Sequence, residues 1–468
     1  MNGGGGCTCR DHGGNTVENR GMLRIGSHWA VALILSSMVG LAGAAGRDDL
    51  FGDDLPDSGA KAKEEAAGSG VKGYLQFELA RTTAAPEHWS KMRTRAELAS
   101  QGSLGDGIKW KLSARADYDF VYGINDYYPP DVERNQRSDF SLRENYLDIS
   151  AGNWDFRLGR QHVVWGEMVG LFFADVVSAR DLREFVLPEF DAMRIPQWAA
   201  RAEYFKDDFH AEFLWIPVAS YDRIGKPGAE FFPWQPNPPG GSIYRAEQRP
   251  KANADHMNYG LRLSTLKAGW DVSAFAYSSM DVQATFYRSI GAGPTFPYVY
   301  QARHDRINQY GGTVAKDFGN MVFKAEAVYT EGRKYPVLRV TDGDGLVRQN
   351  TLDWAAGLDF TLPAETRLNV QVFQRVYFDH DQDTIPDHRE NGYSLYLNGK
   401  LTERLEAQAT FIASFNRPDW LFRPRVAWNF ERNWRLLVGA DIFKGSPAAL
   451  FGQFDSKDRV YSEVRYSF

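Results

Sequence analysis

The sequence predicts an all-β protein: a closed, antiparallel transmembrane β-barrel of about eighteen strands, sixteen being the neighbouring alternative, with one long segment inserted as a constriction loop. Three observations carry this. From residue 73 onward, runs in which polar and apolar residues alternate recur through the chain, the period of a strand with two unlike faces. The connections between the runs are short and long in turn. The 468-residue chain is 43% hydrophobic and 14% aromatic yet has a mean hydropathy of -0.45, which excludes a helical membrane protein and suits strands with one face on a polar lumen. The net charge of -6 gives no reason to expect a nucleic-acid partner.

The N-terminal part precedes this pattern. Met22-Leu23-Arg24 is followed by an apolar run over 29–41 and the small-residue site Ala42-Gly43-Ala44-Ala45, the layout of a secretory signal peptide. The run is shorter than the ~20 residues of a spanning helix. Residues 1–45 are therefore read as an extension and signal peptide. Cys7 and Cys9, the two cysteines of the chain, both fall there, so their spacing is not a metal site. Residues 46–72, acidic and rich in small residues, read as a flexible periplasmic tether, and 73–468 as the barrel.

Within the barrel, 73–81 sets Leu75, Phe77 and Leu79 against Gln76 and Glu78, and 89–100 sets Met92, Ala96 and Leu98 against Lys91, Arg93, Arg95 and Glu97. Over 108–122, Trp110, Leu112, Ala114, Ala116 and Tyr118 alternate with Lys109, Lys111, Ser113, Arg115 and Asp117. A helix would scatter these charges, whereas a strand gathers them on one face. Further strands are expected at 141–149, 155–162, 197–205, 209–215, 257–266, 270–278, 305–316, 321–330, 352–362, 366–378, 393–401, 405–415, 420–430, 434–443 and 458–468. The faces of 305–316 are the least separated. Short links such as 151–153, 206–208, 267–269 and 431–433 alternate with long ones such as 123–137, 163–196, 217–256 and 279–304, which places both barrel ends on the periplasmic side. Trp154, Trp270 and Trp434 follow tight turns, where an interfacial aromatic girdle lies. The last strand ends on Phe468, a terminal aromatic of the kind read by barrel-assembly machinery.

The link 163–196 is too apolar to hang in water, so it is expected inside the lumen. Its candidate constriction residues are Arg160, Gln161, Trp165, Glu167, Arg180, Asp181, Arg183 and Glu184. Ser178, with Asp181 three residues on, resembles a capped helix start that ends at Pro188. Phe231-Phe232-Pro233-Trp234-Gln235-Pro236 is a second candidate lid, stiffened by its prolines. Asp379, Asp381 and Asp383 carry the first three acids of a calcium loop, with Thr384 where that loop has glycine, so calcium is a weak candidate and no cofactor is expected.

Inward-facing cations and acids nearly balance, so cross-strand pairing should account for most of them. The early strands nevertheless crowd Lys91, Arg93, Arg95, Lys109, Lys111, Arg115 and, further on, Arg157 into a basic strip that would favour an anionic solute.

Two stretches also carry a resemblance. Phe156-Arg157-Leu158-Gly159-Arg160-Gln161, Trp165-Gly166-Glu167, Asp181-Leu182-Arg183-Glu184 and Leu187-Pro188, preceded by Leu142-Arg143-Glu144-Asn145-Tyr146-Leu147-Asp148, resemble a porin-like family of bacterial outer-membrane barrels of unknown function with R-Q-x-x-x-W-G-E followed by L-R-E-x-x-L-P. In barrel size the chain is similar to the alginate-export porins. The resemblance implies a transport role in the outer membrane, in contact with its lipid. The expected function is a channel for passive, selective transport of a small, anionic or amphipathic solute. The alternatives are an export conduit for a hydrophobic or polymeric compound, working with a periplasmic or inner-membrane partner, and an outer-membrane hydrolase. No HExxH, Gly-x-Ser-x-Gly or phosphate loop occurs, so an enzyme is not the expectation.

Overall fold

The computed structural model describes residues 70–166, 168, 173–292 and 294–468. The expected signal peptide, nearly all of the expected tether, and Glu167 lie outside the described residues.

Eighteen strands make one antiparallel sheet: β1 Val71–Thr82, β2 Trp89–Gly105, β3 Ile108–Asp119, β4 Ser138–Ala151, β5 Trp154–Gln161, β6 Gln197–Lys206, β7 Phe209–Val218, β8 Asn258–Lys267, β9 Trp270–Met280, β10 Arg306–Asp317, β11 Met321–Glu331, β12 Thr351–Leu362, β13 Thr366–Tyr377, β14 Arg389–Thr402, β15 Leu405–Ser414, β16 Trp420–Glu431, β17 Trp434–Lys444 and β18 Arg459–Ser467. Each pairs with its neighbour in sequence, and β18 returns to β1, with Leu75 opposite Tyr466 and Arg81 opposite Val460. The sheet is thus a barrel without an edge, the form in which strands can lie in lipid with every backbone group paired.

The alternation seen in the sequence separates two environments. Leu98, Leu112, Phe156, Leu158, Phe213, Leu261, Leu263, Val272, Leu397, Val426 and Val438 point outward and are exposed. A band of this kind around a closed barrel is a lipid face. On the other face Gln76, Glu78, Lys91, Arg95, Arg115, Glu212, Glu326, Asp353 and Asp441 are buried, which charged groups tolerate only when paired.

Three local expectations are corrected. The strand predicted over 108–122 stops at Asp119, because the Asp119 carboxylate accepts the backbone N–H groups of Met92 (2.9 Å) and Val121 (3.1 Å). The chain is thereby turned out of the ladder into a helical turn, Val121–Ile124. Ser178 caps no helix: its hydroxyl donates to Val163 O and Asp175 Oδ1 (3.1 and 2.8 Å), and Ala179–Arg180 pairs with Arg194–Ile195 as a short ribbon. The helical turn of this segment lies later, at Phe190–Met193. Finally, Arg160 is not a constriction residue. It shares the outward parity of Phe156 and Leu158 and lies opposite Asn145 and Trp198.

One irregularity positions the interior. Leu112 faces Asn145 but Ala114 faces Leu142, so β4 carries an extra residue there, a β-bulge. Arg143 and Glu144, consecutive in sequence, consequently both serve the lumen: Arg143 reaches the backbone of residues 191–194, and Glu144 accepts from Lys111 at 2.6 Å.

Candidate functional site

The inserted segment starts and ends on two glutamines that lie directly opposite each other on β5 and β6. Gln161, wholly buried, donates to Ala199 O at 3.0 Å. Gln197 donates to Val177 O at 3.1 Å and accepts from Ser220 N at 2.7 Å. An amide both donates and accepts, so Gln197 ties the insertion and the neighbouring loop to the wall, while Gln161 joins β5 to β6 through its Nε2.

From these feet the segment crosses the lumen. The Trp165 ring is 5.2 Å from that of Phe275 and 5.7 Å from that of Tyr277, and its Nε1 donates to Glu212 at 3.1 Å. The wall is thinned to receive it: a Cβ on Gly260 would lie 2.6 Å from the Trp165 ring, and one on Gly357 would lie 3.2 Å from the Met168 methyl. The amides of Phe173 and Ala174 donate to Glu326. Arg180 N donates to Asp222 at 2.7 Å. Burial pushes the Asp222 carboxyl up to about 6. Asp181 and Arg183 pair with each other and meet Asp139 and Arg223.

The segment reaches the opposite wall at Glu184. Its carboxylate pairs with Lys91 and with Arg93 (2.6 Å) on β2 and with Arg459 (3.4 Å) on β18. Burial alone would raise this carboxyl, but Arg93, Lys91 and Arg459 outweigh it and hold it well below the usual carboxylate range. Next, Leu187 O accepts from Arg423 at 2.6 Å and Glu189 pairs with Arg425, both on β16. Ala192 O accepts from Arg115 at 2.8 Å, and Arg194 O from Arg143 at 2.8 Å. Phe185 and Leu187 pack with Phe443, Phe451 and Phe454 and with Phe231 of the second candidate lid, so the two segments meet.

The seven residues of the expected basic strip do not form a free positive surface. Lys91 and Arg93 each lie 2.8 Å from Glu78, Arg95 is 2.7 Å from Asp117, and Arg115 is 2.7 Å from Glu97. Lys111 is 2.6 Å from Glu144 and Arg157 is 2.6 Å from Asp148, while Lys109 is exposed. Cross-strand pairing accounts for nearly the whole strip. Of the residues expected to build the constriction, Asp181, Arg183 and Glu184 border one cavity, Arg180 lies beside Asp222, and Gln161 and Trp165 stand at the foot of the segment. Arg143, Arg423 and Arg459 also hold the segment, although none is among the expected constriction residues; the bulge at 143–144 that aims Arg143 is invisible to alternation.

Little space remains beside Glu184. One cavity of about 50 Å³ is bordered by Arg93, Arg95, Asp117, Asp119 and Arg183. A second, of about 60 Å³, is bordered by Gln76, Glu78, Glu189, Arg425, Tyr461 and Arg465. Each holds a few waters and nothing larger.

Metal ligation finds limited support. Glu203, His210 and Glu212 bring ligand atoms within 4.8 Å of one another, yet Arg201 holds Glu203 at 2.7 Å and Trp165 holds Glu212. At the weak calcium candidate, Arg339 Nη1 lies 2.7 Å from Asp381 and 3.2 Å from Asp383. A guanidinium thus stands on Asp381 and Asp383, where the ion would be bound, and Asp379 is not among its partners.

Residues 82–420 match the family described as "Protein of unknown function (DUF1302)". No curated protein matches. Among solved structures, OccAB1 of Acinetobacter baumannii is similar with a TM-score of 0.51 at 8% identity, over 85% of this chain and 95% of that one. OccAB4 of the same organism gives 0.49 at 9% identity, over 85% and 97%. OmpT, an outer membrane protein of Vibrio cholerae, gives 0.43 at 12% identity, over 86% and 100%. The likeness to OccAB1 is one of fold: a closed antiparallel barrel of the outer-membrane kind.

Proposed function

Given that the chain belongs to the DUF1302 family of proteins of unknown function, we propose that it works as a porin-like channel of the bacterial outer membrane, narrowed by its own segment 163–196. The observation that carries this reading is the reach of that segment. It is held by Trp165 on the β7–β9 side, by Glu184 on β2 and β18, and by Leu187 and Glu189 on β16. A polar lumen crossed by a segment that rests on salt bridges and carbonyl contacts is a selectivity device in form. The solute is a small one, anionic or amphipathic.

The two small cavities favour a second reading. So little space beside Glu184 suits a conduit for a hydrophobic or polymeric compound, opened by a periplasmic or inner-membrane partner. Single-channel recording in planar bilayers separates the readings, with the wild type beside a deletion of 173–188. Steady wild-type current that rises on deletion supports passive transport, whereas a silent wild type and a conducting deletion support the partner-opened conduit. Silence in both refutes a channel.

A further inference from the structure

Once the early strip is neutralised, the lumen's remaining concentration of positive charge lies on the last strands, next to the tip of the inserted segment. Arg425 of β16 donates to Gln408 and pairs with Glu189. Arg465 of β18 donates from Nε to Gln76 at 2.7 Å and lies 3.3 Å from Glu463. Arg435 of β17 stands directly opposite Arg465 and, among the described residues, makes no hydrogen bond or ion pair of its own. Like charges set opposite each other on adjacent strands repel, and the Glu189 and Glu463 carboxylates lie beside these guanidiniums. The Tyr461 hydroxyl, buried and without a partner, borders the same cavity as Arg425 and Arg465.

Glu189 differs from the rest of this group: it comes from the insertion rather than the wall, and its side chain is 41% exposed. Burial would raise its carboxyl, but Arg425, with Arg435 and Arg465 behind it, holds it below the usual carboxylate range. The segment therefore places a carboxylate of its own on Arg425, with Arg435 and Arg465 close enough to act on it. Resting on the channel reading above, we infer that Arg425, Arg435 and Arg465 form a subsite for the carboxylate group of a permeating solute, occupied at rest by Glu189. Guanidinium forks recognise carboxylates in two-point contacts. An entering carboxylate is drawn first to Arg435, competes with Glu189 for Arg425, and loosens the tip of the segment.

The test is the acetate-to-potassium permeability ratio of the full chain in planar bilayers under a potassium acetate gradient. Wild type, Arg435→Gln and Glu189→Gln are compared, each checked for a folded barrel by its heat-modifiable gel mobility. Arg435→Gln is expected to lower the ratio roughly three- to tenfold, by reducing the local anion concentration, and Glu189→Gln to raise both the ratio and the conductance. If only the deletion of 173–188 conducts, Arg435→Gln is read in that background, with the same fall expected. Current with a ratio unmoved by Arg435→Gln overturns the subsite and leaves the channel standing, even where Glu189→Gln opens the pore. Silence in every variant and in the deletion overturns both.

Discussion

Replacing Glu184 with glutamine should undock the inserted segment. The side chain is only 14% exposed and faces Lys91, Arg93 and Arg459. Glutamine keeps its size and part of its hydrogen bonding but removes the charge that three buried cations share. Breaking a buried pair by removing one partner costs about 3–5 kcal/mol. Glu78 remains beside Lys91 and Arg93, and Asp441 lies 2.8 Å from Arg459, so the lower end applies. A loss of about 3 kcal/mol shifts the docked-to-undocked ratio roughly 150-fold, at about 1.4 kcal/mol per decade. The assay is the occupancy of the high-conductance level in single-channel recordings, with protease nicking within 173–188 of the folded barrel as a second measure. The pH dependence follows from the same group. A carboxyl held below its unfolded value of 4.5 gives stability that is present above that value and is lost as pH falls through the depressed one. Docking through Glu184 should therefore be unchanged from about pH 8 to about pH 5. A folded Glu184→Gln barrel with wild-type occupancy and nicking, or wild-type undocking at this contact near neutral pH, would refute the reasoning.

Other perturbations reach other parts of the assembly. Trp165→Ala should destabilise the barrel by about 3–5 kcal/mol and leave Glu212 without its indole donor, read as a lower urea midpoint; an unchanged midpoint would mean that the Phe275–Tyr277 contact is unimportant. Asp222, outside the strands, has the opposite sign to Glu184. Its carboxyl is raised by burial from 3.8 to about 6, so its favourable contribution is present below the unfolded value and is lost as pH rises through about 6. Asp222→Asn should thus gain up to about 3 kcal/mol over wild type near pH 8 and nothing near pH 3, from unfolding midpoints across that range; parallel pH curves for the two proteins would count against it. Arg339→Ala should uncover Asp381 and Asp383, so that about 1 mM calcium protects 379–384 from proteolysis in the variant but not in the wild type; equal protection would show that the arginine does not exclude the ion.

The wall was readable because a strand's period is short and its two environments differ completely. Leu112 beside Lys111 or Leu261 beside Arg262 already states which way each side chain points. Each expected strand has its counterpart in the sheet, and even 305–316 proved a strand. Its blurred pattern has a cause in Gly311, where a Cβ would lie 2.5 Å from the Phe275 ring. The interior was less readable because its residues are chosen by partners far away in the chain. Nothing near Leu187 announces Arg423, and nothing near Arg194 announces the bulge that aims Arg143. Arg160 illustrates the opposite error. Its place beside Gln161 in a motif points to the lumen, although consecutive strand residues face opposite ways.

The closure of β18 on β1 also dictates an order of events. Neither terminal strand has its second neighbour until the whole chain has been made, and until then both present open edges with unpaired backbone. Contacts of such sequence separation are slow to form. Of the cations that hold the tip of the insertion, Arg423, Arg425 and Arg459 belong to the last strands to arrive, whereas Lys91 and Arg93 belong to β2. The segment is therefore held at first by the early wall, through Lys91, Arg93, Arg115 and Arg143, and gains its remaining contacts when the seam closes. Sealing the membrane wall also completes the set of contacts that fixes the insertion within it.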